Sequence, residues 1–348
     1  MHRQFPALRG LAIALVVLHH TIHMGTKYAQ ETGFPPPPGA FSALLTILTW
    51  LGIFAVPTFL FLSGGFFAYA SSGKDLRTNY RIVFKTLPTV AVPYLIWSIV
   101  FYIEIMLLHG EEFSASGWIR NLIVGYPYNF IPLLVFYYLI SPFLVILVRR
   151  YGWLIVLIIG LYQVALLNIS RPGVFGFEYP GWMNWIALPI LYNPLADWAI
   201  YFPLGLTYVM KSKETLSFLL RWKWVFAALT IGFYTLSMFH SLSIFRAPLL
   251  KYIPPLTFLL FAITLPRDSI PWVRQFELLG KRAYGIYLMN LLILDVLLYI
   301  FRSRAPGFLG YLLILLPILF AITLVLPVVL MAAVERLPKV RIYRFVFG

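Results

Sequence analysis

The residues best suited to chemistry lie near the start of the chain, in the stretch LRGLAIALVVLHHTIHMG from Leu8 to Gly25. Arg9 opens this apolar segment and three histidines follow. On a helix, the step from Arg9 to His20 makes three turns plus about 20°, so the two side chains share a face roughly 16 Å apart. Histidine commonly serves as a general acid or base near neutral pH. The spacing therefore predicts a helical face that carries a positive charge and, further along, a proton-transfer group.

The two other histidines of this stretch fit that face less well. His19 points about 80° away from Arg9, and His23 about 40° to the other side. The HHTIH spacing also permits a metal site as an alternative, but zinc usually needs about three protein ligands with supporting carboxylates. No HExxH motif occurs, and no acidic residue lies nearby in the sequence. The sequence therefore predicts that His20 carries the chemistry, with no metal and no tightly bound cofactor.

The elements that position these residues are predicted to lie in lipid. Of the 348 residues, 61% are hydrophobic and only 11% are charged, whereas a soluble domain has roughly a quarter charged. Without cysteine, the chain has no disulfide and no thiolate nucleophile or metal ligand. We predict an all-α integral membrane protein, one domain over residues 1–348 with a single bundle of about ten transmembrane helices. The predicted spans are roughly 8–24, 40–70, 86–109, 121–148, 151–168, 186–210, 225–243, 249–266, 283–301 and 308–333, from runs of about 20 apolar residues.

The basic residues predict how the chain is oriented. With a cytoplasmic N-terminus, twenty of the 27 Lys and Arg residues fall in cytoplasmic loops and seven fall outside. The cytoplasmic excess of basic residues accounts for the net charge of +15, because such residues remain on the cytoplasmic side and contact anionic membrane lipids there. The charge therefore gives no reason to expect a nucleic-acid partner. We expect a multi-pass protein of the inner or plasma membrane, with both termini cytoplasmic and the PPPP loop outside.

Other ionisable residues fall inside or near the ends of predicted spans, where they are costly and often functional. Glu104 and Asp295 either belong to a site or pair with a basic residue on a neighbouring helix, and Asp197 has the same two possibilities. His109 and His240 lie near outer ends. Pro57 and Pro132 are possible break points in the two longest spans.

Several segments together resemble the acyltransferase-3 family of polytopic membrane acyltransferases. LRGLAIALVVLHH is similar to the opening helix of that family, and it places the family's essential arginine and histidine on Arg9 and His20. VPTFLFLSGGFFAY is similar to its Ser-Gly segment, with Ser63 and Gly64 at those positions. RIVFKTLPTVAVPYLIW, YYLISPFLVIL, YFPLGL and LLGKRAYGIYLMN follow in the family's order, so the resemblance covers essentially the whole chain.

Two positions depart from the family pattern. The family often has Arg-x-x-Arg where this chain has Arg81 and Lys85, and lysine cannot hold a phosphate bidentately. The family frequently has a histidine where this chain has Asn290, and an amide cannot shuttle protons. The resemblance makes five residues candidates for donor binding: Arg81, Lys85, Ser63, Tyr287 and Asn290.

The resemblance implies transfer of an acyl group, most commonly acetyl, from cytosolic acyl-CoA to a hydroxyl of a cell-envelope or lipid-linked glycan. Lys281 and Arg282 add positive charge for the phosphates of coenzyme A. His20 either deprotonates the acceptor directly or assists a nucleophile. Ser63 is the candidate nucleophile, or else a small residue that permits close helix packing. The alternative function is a transporter or flippase for a glycan or a lipid-linked intermediate.

Overall fold

The structure, a computed structural model, describes residues 4–241, 248–336 and 340–348. Within those ranges the regular structure is entirely helical, and no β-strand occurs. The described α-helices are α1 (Phe5–Glu31), α2 (Gly39–Trp50), α3 (Ala55–Ser71), α4 (Leu76–His109), α5 (Ala115–Val124), α6 (Phe130–Tyr151), α7 (Trp153–Ser170), α8 (Tyr192–Trp198), α9 (Tyr201–Met210), α10 (Ser212–Ser241), α11 (Ile253–Ala262), α12 (Val273–Lys281), α13 (Ala283–Arg304), α14 (Leu312–Glu335) and α15 (Val340–Phe347). The predicted all-α class is confirmed.

In the described ranges, eight helical segments are long and apolar enough to cross a membrane. They are α1, α2 with α3, α4, α6, α7, α10, α13 and α14. The α2–α3 segment changes to a 3₁₀ turn at Leu51–Phe54, just before Pro57. Many large apolar side chains on these helices are exposed, for example those of Leu157 on α7 and Leu313 on α14. Such outward faces suit lipid as the surrounding solvent.

Three of the predicted spans, 186–210, 249–266 and 121–148, are not single long helices. The predicted span 186–210 consists of α8 and α9, which have 7 and 10 residues, and the predicted span 249–266 contains the ten-residue α11. Prolines explain the interruptions, because proline lacks an amide N–H and favours the first turn of a helix. Pro194 and Pro203 lie near the beginnings of α8 and α9. The predicted span 121–148 is also divided, since α5 ends at Val124 and α6 begins at Phe130.

The chain divides into two compact units whose segments alternate along the sequence. Unit 1 comprises Met1–Phe5, Val56–Ala91 and Ile119–Ile270, and unit 2 comprises Pro6–Ala55, Val92–Trp118 and Pro271–Gly348. The single domain expected from the sequence stays a prediction.

Each unit has its own close packing. In unit 1, Gly64 of α3 meets the backbone of α9, where a Cβ atom would lie 2.1 Å from the carbonyl oxygen of Phe202. In unit 2, α1, α13 and α14 pack around a buried apolar cluster. This cluster consists of Ile22, Tyr28, Ala29, Leu45, Leu294, Leu298, Leu309, Leu312, Leu315, Leu316 and Leu319.

Candidate active site

Arg9 lies where α1 crosses α12 inside unit 2. Its neighbour Gly10 packs so closely that a Cβ atom there would lie 1.8 Å from the carbonyl oxygen of Phe276. On the other side of the crossing, a Cβ at Gly280 would lie 2.0 Å from the carbonyl oxygen of Pro6. Only glycine permits this approach of two helix backbones. The Arg-Gly pair therefore places the half-buried Arg9 at a fixed helix crossing.

His20 lies further along α1 and forms a hydrogen bond with α13. Its Nδ1 atom is 2.8 Å from Oδ1 of Asn290. Asn290 has no exposed surface, and its Nδ2 donates to the carbonyl oxygens of Ile286 and Tyr287 one turn earlier in α13. The amide of Asn290 is thereby fixed, because its nitrogen must face those two carbonyls.

The fixed amide determines which nitrogen of His20 carries a proton. Oδ1 of Asn290 can only accept a hydrogen bond, so Nδ1 of His20 must donate it. In the neutral imidazole, Nε2 then keeps its lone pair and is the basic nitrogen. His20 remains partly exposed. The pair thus presents an oriented base on the same helix as Arg9.

The other two histidines of the HHTIH stretch have different surroundings. Nδ1 of His19 lies 3.0 Å from the carbonyl oxygen of Thr49 at the end of α2. A Cβ at Gly52 would lie 2.9 Å from the His19 side chain, so the backbone passes closely over it. His23 is exposed and stacks on His19, with ring centroids 6.1 Å apart. His19 therefore connects α1 to the segment that follows α2, whereas His20 faces α13.

The structure places the predicted donor-binding residues in both units. Tyr287 and Asn290 belong to unit 2 with His20, and Tyr287 is buried and accepts the Asn290 hydrogen bond through its carbonyl. Ser63, Arg81 and Lys85 belong to unit 1. Ser63 donates its hydroxyl to the carbonyl oxygen of Phe59, 2.8 Å away on the same helix.

The basic residues expected near the phosphates of coenzyme A differ in exposure. Arg81 and Lys85 are exposed and lie one turn apart on α4. Lys281 is also exposed at the end of α12. Arg282, in contrast, donates to a carboxylate oxygen of Glu335 at 2.6 Å. The first three keep their charges at the surface, and Arg282 is committed to an ion pair.

The remaining ionisable residues separate into a pair and a cluster. Asp197 accepts two hydrogen bonds from Arg171, at 2.9 and 3.0 Å, so of the two possibilities left open by the sequence the structure shows pairing with a basic residue. Glu104, His109 and Asp295 instead lie together in unit 2, with one possible ligand atom from each within 4.8 Å of the others. The sequence did not predict this grouping, because the residues lie on α4 and α13. The side chain of His240 lies outside the described part of the structure.

Comparison with known proteins identifies the family. A family model described as an acyltransferase domain matches residues 4–333. No curated protein and no solved structure gives a significant match. Because the match spans nearly the whole chain, the protein belongs to the acyltransferase-3 family and is a multi-pass membrane acyltransferase.

Proposed function

We propose that the protein transfers an acyl group, acetyl in the first instance, from acyl-CoA to a hydroxyl of a cell-envelope or lipid-linked glycan, with His20 as the base. The single observation that carries this proposal is the hydrogen bond between His20 and the fixed amide of Asn290. Family membership supports acyl transfer in a membrane. The identities of donor and acceptor, and the role of His20, are parts of the proposal.

The proposed reaction uses Nε2 of His20 twice. Nε2 takes the proton from the acceptor hydroxyl as its oxygen attacks the thioester carbonyl. The carbon–sulfur bond then breaks, the acyl group remains on the acceptor oxygen as an ester, and the departing thiolate takes the proton from His20. No net proton is gained or lost by the enzyme. Asn290 holds the ring in one orientation and one tautomer through both steps, which makes it a positioning residue.

Direct transfer is favoured over an acyl-enzyme intermediate on Ser63. The hydroxyl of Ser63 donates to the carbonyl of its own helix, and the FLSGG segment is not a GxSxG nucleophile elbow. Its position next to Gly64 suits helix packing. In this scheme no covalent intermediate forms on the protein.

Exposed positive charge on α4 would hold the donor. Arg81 and Lys85 are one turn apart and exposed, so their charges are free to meet phosphate groups at an aqueous boundary. Charge-assisted hydrogen bonds to phosphate are among the stronger polar contacts in proteins. Arg9 would hold the donor or order the site. Both termini would be cytoplasmic, which places these charges on the side where acyl-CoA is made.

The proposal is tested with the full-length protein in lipid vesicles. Acetyl-CoA labelled in the acetyl group is supplied together with a cell-envelope glycan extract, and label in glycan is measured for the wild type, His20→Ala and His19→Ala. We expect label in glycan with the wild type and with His19→Ala, and none above background with His20→Ala. Equal transfer by His20→Ala and the wild type would contradict the role of His20. Transfer from another acyl-CoA but never from acetyl-CoA would contradict the acetyl assignment.

A further inference from the structure

A second polar cluster joins α1 and α13, the helices of His20 and Asn290, to α4, and it takes no part in the proposed chemistry. Asp295 of α13 accepts a hydrogen bond from the hydroxyl of Tyr28 on α1, with 2.6 Å between the oxygens. Its other carboxylate oxygen lies 2.6 Å from Nε2 of His109 at the end of α4. Glu104, five residues earlier on α4, completes the cluster. All four residues belong to unit 2.

Glu104 is the residue whose burial needs an explanation. Only 8% of its surface is exposed, and among the described residues no N–H or hydroxyl donor reaches either of its carboxylate oxygens. The polar group beside them is the carboxyl group of Asp295. Asp295, close beside it, is 4% exposed. A buried carboxylate is expensive unless a positive charge or hydrogen-bond donors compensate it. The ligand atom of Glu104 nevertheless lies within 4.8 Å of those of His109 and Asp295, so it is directed toward the cluster.

We propose that Glu104, His109 and Asp295 bind a divalent transition-metal cation such as Zn²⁺. Two carboxylates and one neutral imidazole carry a charge of −2, which a divalent cation neutralises. This donor set, one nitrogen and two carboxylate oxygens, suits zinc and similar borderline metals. Three protein ligands leave a fourth position open for water or another ligand.

The hydrogen bonds around Asp295 match the surroundings of a metal ligand. Tyr28 occupies Oδ1 and leaves Oδ2 for the metal, as supporting donors commonly do. The cation would take the place of the Nε2 proton that His109 now shares with Asp295. In a neutral ring that proton moves to Nδ1, and it is released to solvent only from a doubly protonated ring. In a tetrahedral zinc site, neighbouring ligand atoms are roughly 3.3 Å apart, from bond lengths of about 2.0–2.1 Å. The present ligand atoms lie within 4.8 Å of one another, and Nε2 of His109 is 2.6 Å from Oδ2 of Asp295, so the three side chains would have to shift on binding.

The cluster also has an entry route for a cation. The side chain of His109 is 28% exposed, whereas that of Asp295 is 6% exposed. A cation can therefore meet His109 first and then the two buried carboxylates. Tyr28, which contacts Asp295, belongs to a buried apolar cluster, and apolar surroundings strengthen electrostatic attraction by excluding water. The sequence predicted no bound metal because only HHTIH showed ligand spacing. This inference does not depend on the proposed role of His20.

The test uses the full-length protein in detergent, stripped with EDTA and titrated with Zn²⁺ alone. Binding is measured by competition with a chromophoric chelator, and folding by thermal unfolding. We expect one equivalent of Zn²⁺ and a higher melting temperature when it is bound. Glu104→Gln should weaken binding by at least a hundredfold, and Tyr28→Phe by roughly 10–100-fold, as for other supporting residues.

Two controls keep the result specific. Glu112→Gln makes the same chemical change at an exposed position shortly after α4 and should bind like the wild type. His23→Ala should also bind like the wild type, because the HHTIH histidines are not the ligands. Loss of the tight equivalent in His23→Ala, with binding retained in Glu104→Gln, would overturn the proposal. Failure of the folded wild type to bind Zn²⁺ would overturn it as well.

Discussion

The His20–Asn290 pair joins α1 to α13, and the Glu104–His109–Asp295 cluster joins α4 to α13. The two sites accommodate buried polar groups in different ways. At His20 and Asn290, a neutral amide uses its oxygen for the histidine and its nitrogen for two backbone carbonyls. At Glu104 and Asp295, two carboxylates are buried together, and Glu104 lacks a donor among the described residues. The first site is complete in itself and fixes a base. The second site brings two buried carboxyl groups together without a donor for Glu104, and this is the feature on which the proposed cation site rests.

The two sites are close but separable. Tyr28 lies eight positions after His20 on α1, a rise of about 12 Å, and Asp295 lies five positions after Asn290 on α13, a rise of about 7.5 Å. A substitution at one site therefore leaves the side chains of the other site in place. Variants of the His20 site should alter the chemical step, and the charged cluster should respond to added metal.

The largest expected effect is loss of the base. His20→Ala should lower the rate of acyl transfer by roughly 10²–10⁴-fold, the usual contribution of general acid–base catalysis. His19→Ala should keep substantial activity but lower the melting temperature, because it removes the contact with the Thr49 carbonyl. Transfer rates and thermal unfolding of both variants are the measurements. Equal loss of transfer from both would show that the difference between the two neighbouring histidines has no catalytic meaning.

The next largest effect is expected on donor binding, from substitutions of Arg81 and Lys85, which lie outside both polar sites. Arg81→Gln and Lys85→Gln should each raise the KM for acyl-CoA by roughly 10–100-fold, because each loses a charge-assisted contact worth about 1.5–3 kcal/mol. Lys85→Arg should be tolerated or lower KM, since a guanidinium can hold phosphate with two hydrogen bonds.

The same donor variants should respond to salt. Their difference from the wild type should shrink at high ionic strength, because exposed charges are screened. An unchanged KM in all three variants would leave Arg81 and Lys85 as residues that only orient the loop across the membrane.

A smaller effect is expected when the first site is made to resemble the second. Asn290→Asp puts a carboxylate where the amide nitrogen now donates to the carbonyls of Ile286 and Tyr287, so the buried charge meets two acceptors. The melting temperature should fall, by an amount corresponding to roughly 1–3 kcal/mol or more for unsatisfied buried groups. Asn290→Ala is the matched control without the charge, and it should be the less destabilised of the two. The opposite order would show that the amide orientation is not what stabilises this site.

The smallest effect should come from the third histidine. His23 is exposed and stacks on His19, and surface substitutions of this kind usually change stability by less than about 0.5 kcal/mol. His23→Ala should leave both transfer rate and melting temperature near the wild type. A loss of transfer comparable to that of His20→Ala would show that the HHTIH stretch acts as a unit.

Periodicity and composition were sufficient to predict the helical membrane class, and the face shared by Arg9 and His20 followed from one helix. Other features depended on contacts between distant segments. The length of the apolar run 186–210 predicted one span, although the run contains prolines. The chain forms two short helices there, α8 and α9. Glu104 and Asp295 were singled out as costly, yet only the packing of α4 against α13 brings them together. The sequence showed that Asn290 stands where the family frequently has a histidine. Its role in orienting His20 became visible only from its hydrogen bonds to the backbone carbonyls of α13.

The central claim is that Asn290 holds His20 with Nδ1 protonated and Nε2 free to act as a base. Nitrogen NMR of the full-length protein labelled at histidine measures this directly, since the chain has only six histidines and His20→Ala identifies the signal. The account predicts a neutral His20 ring with a protonated Nδ1 and an unprotonated Nε2, and loss of this single tautomer in Asn290→Ala. A His20 ring protonated at Nε2 and bare at Nδ1 would contradict the account.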